Sequence, residues 1–449
     1  MSARFTRPGA GTPVPVRFPR IVREALDNGL RIWTIPYGAI PVATTTLVIA
    51  RGTGDDPADR HGLASLTGDL LDEGAGDLDA IGVAEAFARL GTHLDIDVGP
   101  DAMTMSSAGL ARQIERTLEL LASVVRQPRL EAADFARIRE LRVNRLRQLS
   151  RSAGTVADRA YVSAVFGDHA YGHGALGTTR ALEATTVDDV RGFWAGHIGP
   201  AVATLIVVGD VVAVDVAAAA RRVFDAWDAT IGSSRIDRPV VAPDRRIHLV
   251  DRPGAAQSEL RIGHLAPGRS TEDYHALVVL NAVLGGQFTS RINRRLREEQ
   301  GITYGAHTSF DFRRAAGSFA CETSVQSDAT AGAVRDVIAE LGRMREAAIA
   351  PEELAAASAS LTRGYVRNFE TAGQVARAAT QLAVHGLPDD TFDRFVPAIE
   401  AIGADQVLDV ARRHIRPDEA TVVVVGDATV TAEALTAIDR PLQASAPEF

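Results

Sequence analysis

One stretch of this chain occurs twice. Residues 188–210, DDVRGFWAGHIGPAVATLIVVGD, align without a gap or change of register with residues 405–427, DQVLDVARRHIRPDEATVVVVGD. His197 falls on His414, Ile198 on Ile415, Pro200 on Pro417, Thr204 on Thr421, and Val207-Val208-Gly209-Asp210 on Val424-Val425-Gly426-Asp427. Agreement at that density points to a duplicated unit: an amphipathic helix, a short proline-bearing loop, and an apolar strand buried on both faces. A repeat this long is a domain duplication and not a solenoid, because each half can own a core.

The length agrees, since 449 residues exceed the ~250–300 at which single cores stop growing. Two domains are expected, at 14–228 and 247–440, joined by a Gly/Ser/Pro/Arg-rich linker, ATIGSSRIDRPVVAPDRR, at 229–246. In the first half, 31–36 and 44–50 read as strands, then helices at 61–73 and 80–90, strands near 92–98 and 102–107, and long helices over 113–166. The second half reads as strands near 248–251 and 259–266, helices at 271–286 and 289–299, strands near 304–312 and 315–323, then helices to 414. Hairpin-like strand pairs beside long helices predict an α+β fold, each domain a mixed, mostly antiparallel sheet packed with helices.

Charge narrows the function. The 48 basic residues are all arginine, so a Schiff-base lysine is excluded, and the net charge is −9. An acidic chain without a clustered basic surface is not expected to bind nucleic acid. One helix does carry Arg137, Arg139, Arg142, Arg145, Arg147 and Arg151; spread around its circumference, they read as a solvated surface. The lone cysteine, Cys321, forms no intrachain disulfide and permits a reducing compartment. Residues 1–23 contain arginine and no acid, but Pro8, Pro13, Pro15 and Pro19 would break an amphipathic targeting helix. No apolar run reaches the ~20 residues of a membrane span. A cytoplasmic protein without membrane association is expected.

Residues 61–76, HGLASLTGDLLDEGAG, carry the most specific chemical question. At about 100° per residue, Leu63, Leu66, Thr67 and Leu70 share a core face, leaving Ser65, Gly68, Asp69 and Asp72 toward a cleft or solvent. In the inverted zinc motif H-x-x-E-H, two imidazoles bind the metal and the glutamate takes a proton from its water. Those three places hold Ser65, Gly68 and Asp69. Asp69, Asp72 and Glu73 read as a solvated turn rather than a cation site. His61 reads as a polar residue at the start of the helix. His169 and His173 are four apart, but Gly172 and Gly174 make their segment a loop, where that spacing pairs nothing. No G-x-S-x-G, cysteine–histidine signature or phosphate-binding glycine loop occurs.

Over nearly its whole length the chain resembles the pitrilysin-type (M16) zinc metallopeptidases, which include mitochondrial processing peptidase, the core proteins of respiratory complex III and bacterial peptidase subunits. The likeness runs through EALDNGLRIWTIP, GLASLTGDLLDEGA, FGDHAYGHGALGT, DRPGAAQSEL and VLGGQFTSRINRRLREEQGITYG. The resemblance implies that Arg297 and Tyr304, in the pattern L-R-E-x-x-G-[LI]-x-Y, reach across a chamber toward the zinc site. A fixed guanidinium and phenol suit a developing oxyanion. Taken alone, Arg297 would be a surface salt bridge and Tyr304 a packing residue; the surrounding motif favours the functional role.

Ser65, Gly68 and Asp69 depart from the family's metal motif, and helix 134–149, where a third, glutamate ligand is expected, offers arginines. Gly285-Gly286 is also shorter than the glycine-rich loop of the non-catalytic processing-peptidase subunit. The resemblance therefore implies a non-catalytic subunit of a heterodimeric zinc metalloendopeptidase, inactive alone and binding no metal. A homologous partner with H-x-x-E-H would hold the zinc, and the substrate would be a peptide. The alternative is an assembly subunit like the complex III core proteins, with no part in proteolysis. A third reading is an independent peptidase with a relocated metal site.

Overall fold

The repeated unit folds the same way twice in the computed structural model, which describes residues 15–241, 245–446 and 449. Most of the acid-free stretch at 1–23, including Pro8 and Pro13, and residues 242–244 of the linker lie outside the described residues.

In chain order the first half contributes β1 (Val22–Ala25), β2 (Arg31–Pro36), β3 (Val42–Ile49), a ribbon of β4 (Gly74–Ala75) and β5 (Leu78–Asp79), β6 (Asp95–Val98), β7 (Met103–Leu110) and β8 (Ala203–Gly209). Its helices are α1 (Leu63–Leu71), α2 (Ala80–Arg89), α3 (Ile114–Arg126), α4 (Ala132–Leu149), α5 (Ala153–Phe166), α6 (Thr179–Ala184), α7 (Val187–His197) and α8 (Val216–Phe224). The second half adds β9 (Ile247–Asp251), β10 (Gln257–Pro267), β11 (Ala306–Asp311), β12 (Ala316–Gln326), β13 (Thr421–Gly426) and β14 (Leu442–Ala444). With them come α9 (Tyr274–Leu284), α10 (Arg291–Asn293), α11 (Thr330–Glu346), α12 (Pro351–Thr362), α13 (Ala372–His385), α14 (Thr391–Ala401), α15 (Ala404–His414) and α16 (Ala428–Thr436). A wide π turn, Arg294–Glu299, continues α10.

The first sheet runs β1-β2-β8-β3-β7-β6 and the second β14-β9-β13-β10-β12-β11. Strand for strand they correspond. The parallel pair β2/β8 matches β9/β13, and the antiparallel run β8-β3-β7-β6 matches β13-β10-β12-β11. They differ at one edge, where β1 joins antiparallel and β14 joins parallel. The fold is α+β with mostly antiparallel sheets. The repeated sequences form α7 with β8 and α15 with β13. Both strands are buried at every residue, which is why their apolar runs do not alternate.

One face of each sheet is covered from within its own half. Leu118, Leu121 and Val125 of α3 and Phe224 of α8 pack on Leu47, Leu205 and Val207. The other face is covered from the opposite half. Val375, Ala376, Ala379 and Leu382 of α13 lie on Trp33, Ile35, Val48, Ile206 and Val208 of the first sheet. In return Val156, Ala157, Ala160 and Val165 of α5 lie on Ala320, Val423 and Val425 of the second. Their i, i+4 spacing makes a single apolar stripe on each helix. α13 is set by a capping box between Thr371 and Gln374 and stopped by left-handed Gly386.

Polar bonds fix the exchange. Tyr161 of α5 donates its hydroxyl to the Phe319 carbonyl. Tyr171 donates to Asp101, whose other oxygen accepts the Arg314 N–H at 2.8 Å. The linker joins the same packing: Ile236 is buried there, and Asp55 accepts the Ser234 hydroxyl at 2.7 Å. Among the described residues no helix is long and apolar enough to cross a membrane.

Candidate functional site

Helix α1 starts at Leu63, after Gly62 turns the backbone left-handed at φ 94°. A buried carboxylate from the preceding loop holds its first turn. Asp56 accepts the N–H groups of Gly62 at 2.6 Å and Ala64 at 2.7 Å, satisfying amides that have no partner inside the helix. Burial nonetheless pushes the Asp56 carboxyl up to about 8, against the pull of those two bonds.

The polar face of α1 differs from the expectation of cleft or solvent. Ser65 and Gly68 are buried and Asp69 alone is exposed. The reason is Arg142, on α4, which is 4% exposed. Its Nε donates to Asp69 Oδ2 at 2.7 Å and its Nη2 to Ser65 Oγ at 2.7 Å. Nη1 is buried and meets no acceptor among the described residues. The α4 arginines are thus not uniformly a solvated surface. One of them points inward and spans the two positions where the inverted motif has its imidazoles.

The third motif position is closed differently. A Cβ built on Gly68 would stand 2.7 Å from Cγ2 of Val98, the last residue of β6. The helix glycine, which costs ~1 kcal/mol against alanine, admits that close approach. The neighbouring carboxyls are also engaged, with Glu73 ion-paired to Arg137. Asp72 is raised to about 6, chiefly by burial.

These residues do not fit zinc. A hydroxyl and an exposed carboxylate replace two imidazoles, the base position has no side chain, and a guanidinium already bridges the first two. Zinc asks for His, Cys or carboxylate ligands in a tetrahedron, and a fixed cation opposes a second one. Among the described residues no group of three such side chains is arranged to hold a metal ion.

His169 and His173 point to different partners. His169 Nε2 lies 3.0 Å from the Arg238 carbonyl oxygen and its Nδ1 accepts the Tyr171 N–H at 3.1 Å. His173 stacks on His61 with centroids 4.0 Å apart. Its Nε2 stands 3.9 Å from Asp56 Oδ2, and burial lowers its imidazole to about 4. His61 therefore belongs to this stack, ahead of the helix.

In the second half, Arg297 lies within the π turn Arg294–Glu299, and Tyr304 follows it. The Arg297 guanidinium lies 3.7 Å over the Phe288 ring, and its Nη1 meets no acceptor among the described residues. Phe288 is 64% exposed and Tyr304 94%. The turn between them is held by Asn293, which donates to the Ala306 carbonyl at 2.6 Å and accepts the Ala306 N–H at 2.8 Å. Glycine is required at 285, where a Cβ would meet Thr308 Cγ2 at 2.4 Å. Beside it opens a groove of 470 Å³ floored by β11 and β12 and bordered by Phe288.

Two family models match in tandem: Insulinase (Peptidase family M16) over residues 38–179, and Peptidase M16 inactive domain over 184–361. The chain belongs to the M16 peptidase family. An uncharacterized zinc protease of Mycobacterium leprae is 25% identical over 356 residues, covering 77% of each chain. One from Mycobacterium tuberculosis is 24% identical over 401 residues, 87% of this chain and 90% of that one. Among solved structures, an M16 inactive domain from Pseudomonas fluorescens superposes with TM-score 0.85 at 22% identity, covering 92% of this chain and 99% of that one. A chain of complex III from Candida albicans gives 0.78 at 14% identity, covering 93% and 99%. Both share the fold.

Sequence reasoning missed three residues of this M16 chain that shape the two regions. Asp56 gave no signal, being one aspartate in an acidic loop. Phe288 lay inside a quoted motif, but a lone aromatic says nothing of its neighbour. Val98 was legible in principle, because a glycine inside a helix marks a close approach by something else.

Proposed function

We propose that this chain is the non-catalytic subunit of a heterodimeric M16 zinc peptidase and lends Arg297 and Tyr304 to a composite site. The carrying observation is a contrast. The metal positions are spanned by the buried Arg142 guanidinium, which holds a carboxylate and a hydroxyl, while the Arg297 guanidinium lies over the Phe288 ring with no carboxylate or hydroxyl partner among the described residues and Tyr304 stands in solvent.

As a peptide carbonyl turns tetrahedral, its oxygen gains charge, and the Arg297 N–H and Tyr304 O–H are the donors that would stabilise it. Such donors matter most where charge develops, each typically worth 10²–10³ in rate. The zinc and the general base belong to the partner's H-x-x-E-H helix; alone, this chain hydrolyses nothing. A cytoplasmic setting goes with this reading, in keeping with a single buried cysteine.

The test is to purify this chain and a homologue with an intact metal motif, separately and mixed, and to follow cleavage of an unfolded peptide. The mixture should cut at least about 100-fold faster than the homologue alone, and Arg297→Ala with Tyr304→Phe should remove the gain without disturbing the complex. A mixture no faster than the homologue would overturn the proposal.

A second reading, an assembly subunit without catalytic work, draws on Arg297 being engaged with the Phe288 ring 3.7 Å away. It predicts a stable complex whose hydrolysis ignores both substitutions.

A further inference from the structure

A cavity of 800 Å³ opens in the second half between the start of α9, the turn after α12, α13 and α14. It shares no lining residue with the groove beside Phe288. Three arginines line it, Arg269, Arg367 and Arg377, and its aromatic wall includes Tyr274, Tyr365 and Phe395; no carboxylate lines it among the described residues. That is unusual in a chain with nine more acids than bases.

The arginines that are fully buried among the described residues each have a carboxylate: Arg142 has Asp69, Arg261 has Asp158 and Arg313 has Asp311. Arg269 is half-buried, and its guanidinium lies 3.5 Å over the Tyr274 ring, with no hydrogen bond or ion pair among the described residues. Burial disfavours its charge, with no acid offsetting the cost. The Tyr274 and Tyr365 hydroxyls form no hydrogen bond among the described residues, and burial raises the Tyr365 phenol. Asp393, which adds to that rise, already accepts the Phe18 N–H at 2.5 Å.

The lining thus presents three guanidinium groups with no carboxylate among its described residues to match their charge. Guanidinium groups donate only, in a planar fork suited to carboxylate and phosphate oxygens. The wall adds flat apolar area, with Tyr365 stacked on Phe395 at 4.2 Å, and stacked rings prefer such faces. The volume lies within the ~300–1,000 Å³ usual for small-molecule sites. From this we infer that the cavity is a binding site for a small polyanion on a flat ring, its phosphate or carboxylate oxygens held by Arg269, Arg367 and Arg377 and its ring by the aromatic wall. The site needs no metal and no partner chain, and stands or falls apart from the peptidase proposal.

Calorimetric titration of the full chain tests it with three probes: ADP, benzene-1,3,5-tricarboxylate and inorganic pyrophosphate. At least one ring-bearing probe should bind about tenfold more tightly than pyrophosphate, as stacking predicts. Whichever of the two binds better identifies phosphate or carboxylate as the natural group. Arg377→Gln, at an exposed position where folding is not at stake, should weaken that binding at least about tenfold; Arg269→Gln should do so more strongly. Tyr365→Leu should bring the ring-bearing probe down to the level of pyrophosphate. Failure of all three probes to bind, pyrophosphate binding as well as the others, or unchanged affinity in the Arg377 and Arg269 variants would each overturn the assignment.

Discussion

Arg142 in the first half and Arg297 in the second are the same side chain in opposite circumstances. Arg142 is sunk between two helices with a serine and an aspartate on its nitrogens; Arg297 rests on an exposed phenylalanine with no carboxylate partner among the described residues. An arginine that has found its carboxylate is structural. One that has not keeps its donors for something else. The halves share a topology, so the contrast reflects residue choice on a common frame.

The largest effect should come from separating the halves. Each sheet has one face covered by a helix of the other half. Val375 and Leu382 of α13 alone are worth about 1.5–3 kcal/mol each, set against a typical net stability of about 5–15 kcal/mol. Residues 14–228 or 247–449 expressed alone should fail to give a cooperative unfolding transition, and co-expression should restore it. A cooperative transition in either fragment would show that the exchanged helices are ornaments on finished domains.

Next comes the seam at Arg142. Asp69→Ala strips a buried guanidinium of its counter-charge and should cost about 3 kcal/mol in urea unfolding. Arg142→Met, which removes the charge itself, should cost less, because Asp69 can turn to water. If the two variants are equally stable, the pair is a surface contact of small worth.

The smallest effect is in pH. His264 is the second half's buried imidazole, its Nε2 accepting the Arg416 N–H at 3.1 Å and its Nδ1 lying 2.8 Å from the Leu265 carbonyl oxygen. Burial lowers it to about 4. The unfolded chain takes up that proton first, near 6.5, so stability is present above 6.5 and lost as pH falls toward 4. His264→Gln should flatten the slope in that window by up to about 1.4 kcal/mol per pH unit. An unchanged slope would mean that His264 is protonated in the fold. In the first half His173 loses stability in the same sense, but Asp56, raised to about 8, works against it across about 4–8.

The duplication and the α+β class were legible because β8 and β13 are apolar at every position, a pattern that only burial on both faces explains. The loss of the metal motif was legible at Ser65, Gly68 and Asp69. What replaces it was not. Helix α4 has an arginine in almost every turn, and which one turns inward depends on where α1 lies beside it. The exchanged helices were hidden for a similar reason: the stripe Val375-Ala379-Leu382 says that α13 is buried, but not against which sheet. The cavity at Arg269 draws on three separate segments, and nothing in any one of them marks it.

The crossed helices carry a mechanical consequence. With α13 seated on the first sheet, α5 on the second, and Ile236 of the linker in the same core, a hinge between the halves would have to tear two apolar faces at once. The chain is therefore one jaw, not two. In the proposed pair, a peptide would have to enter at the boundary between the two subunits, and the rate of that opening would belong to the pair.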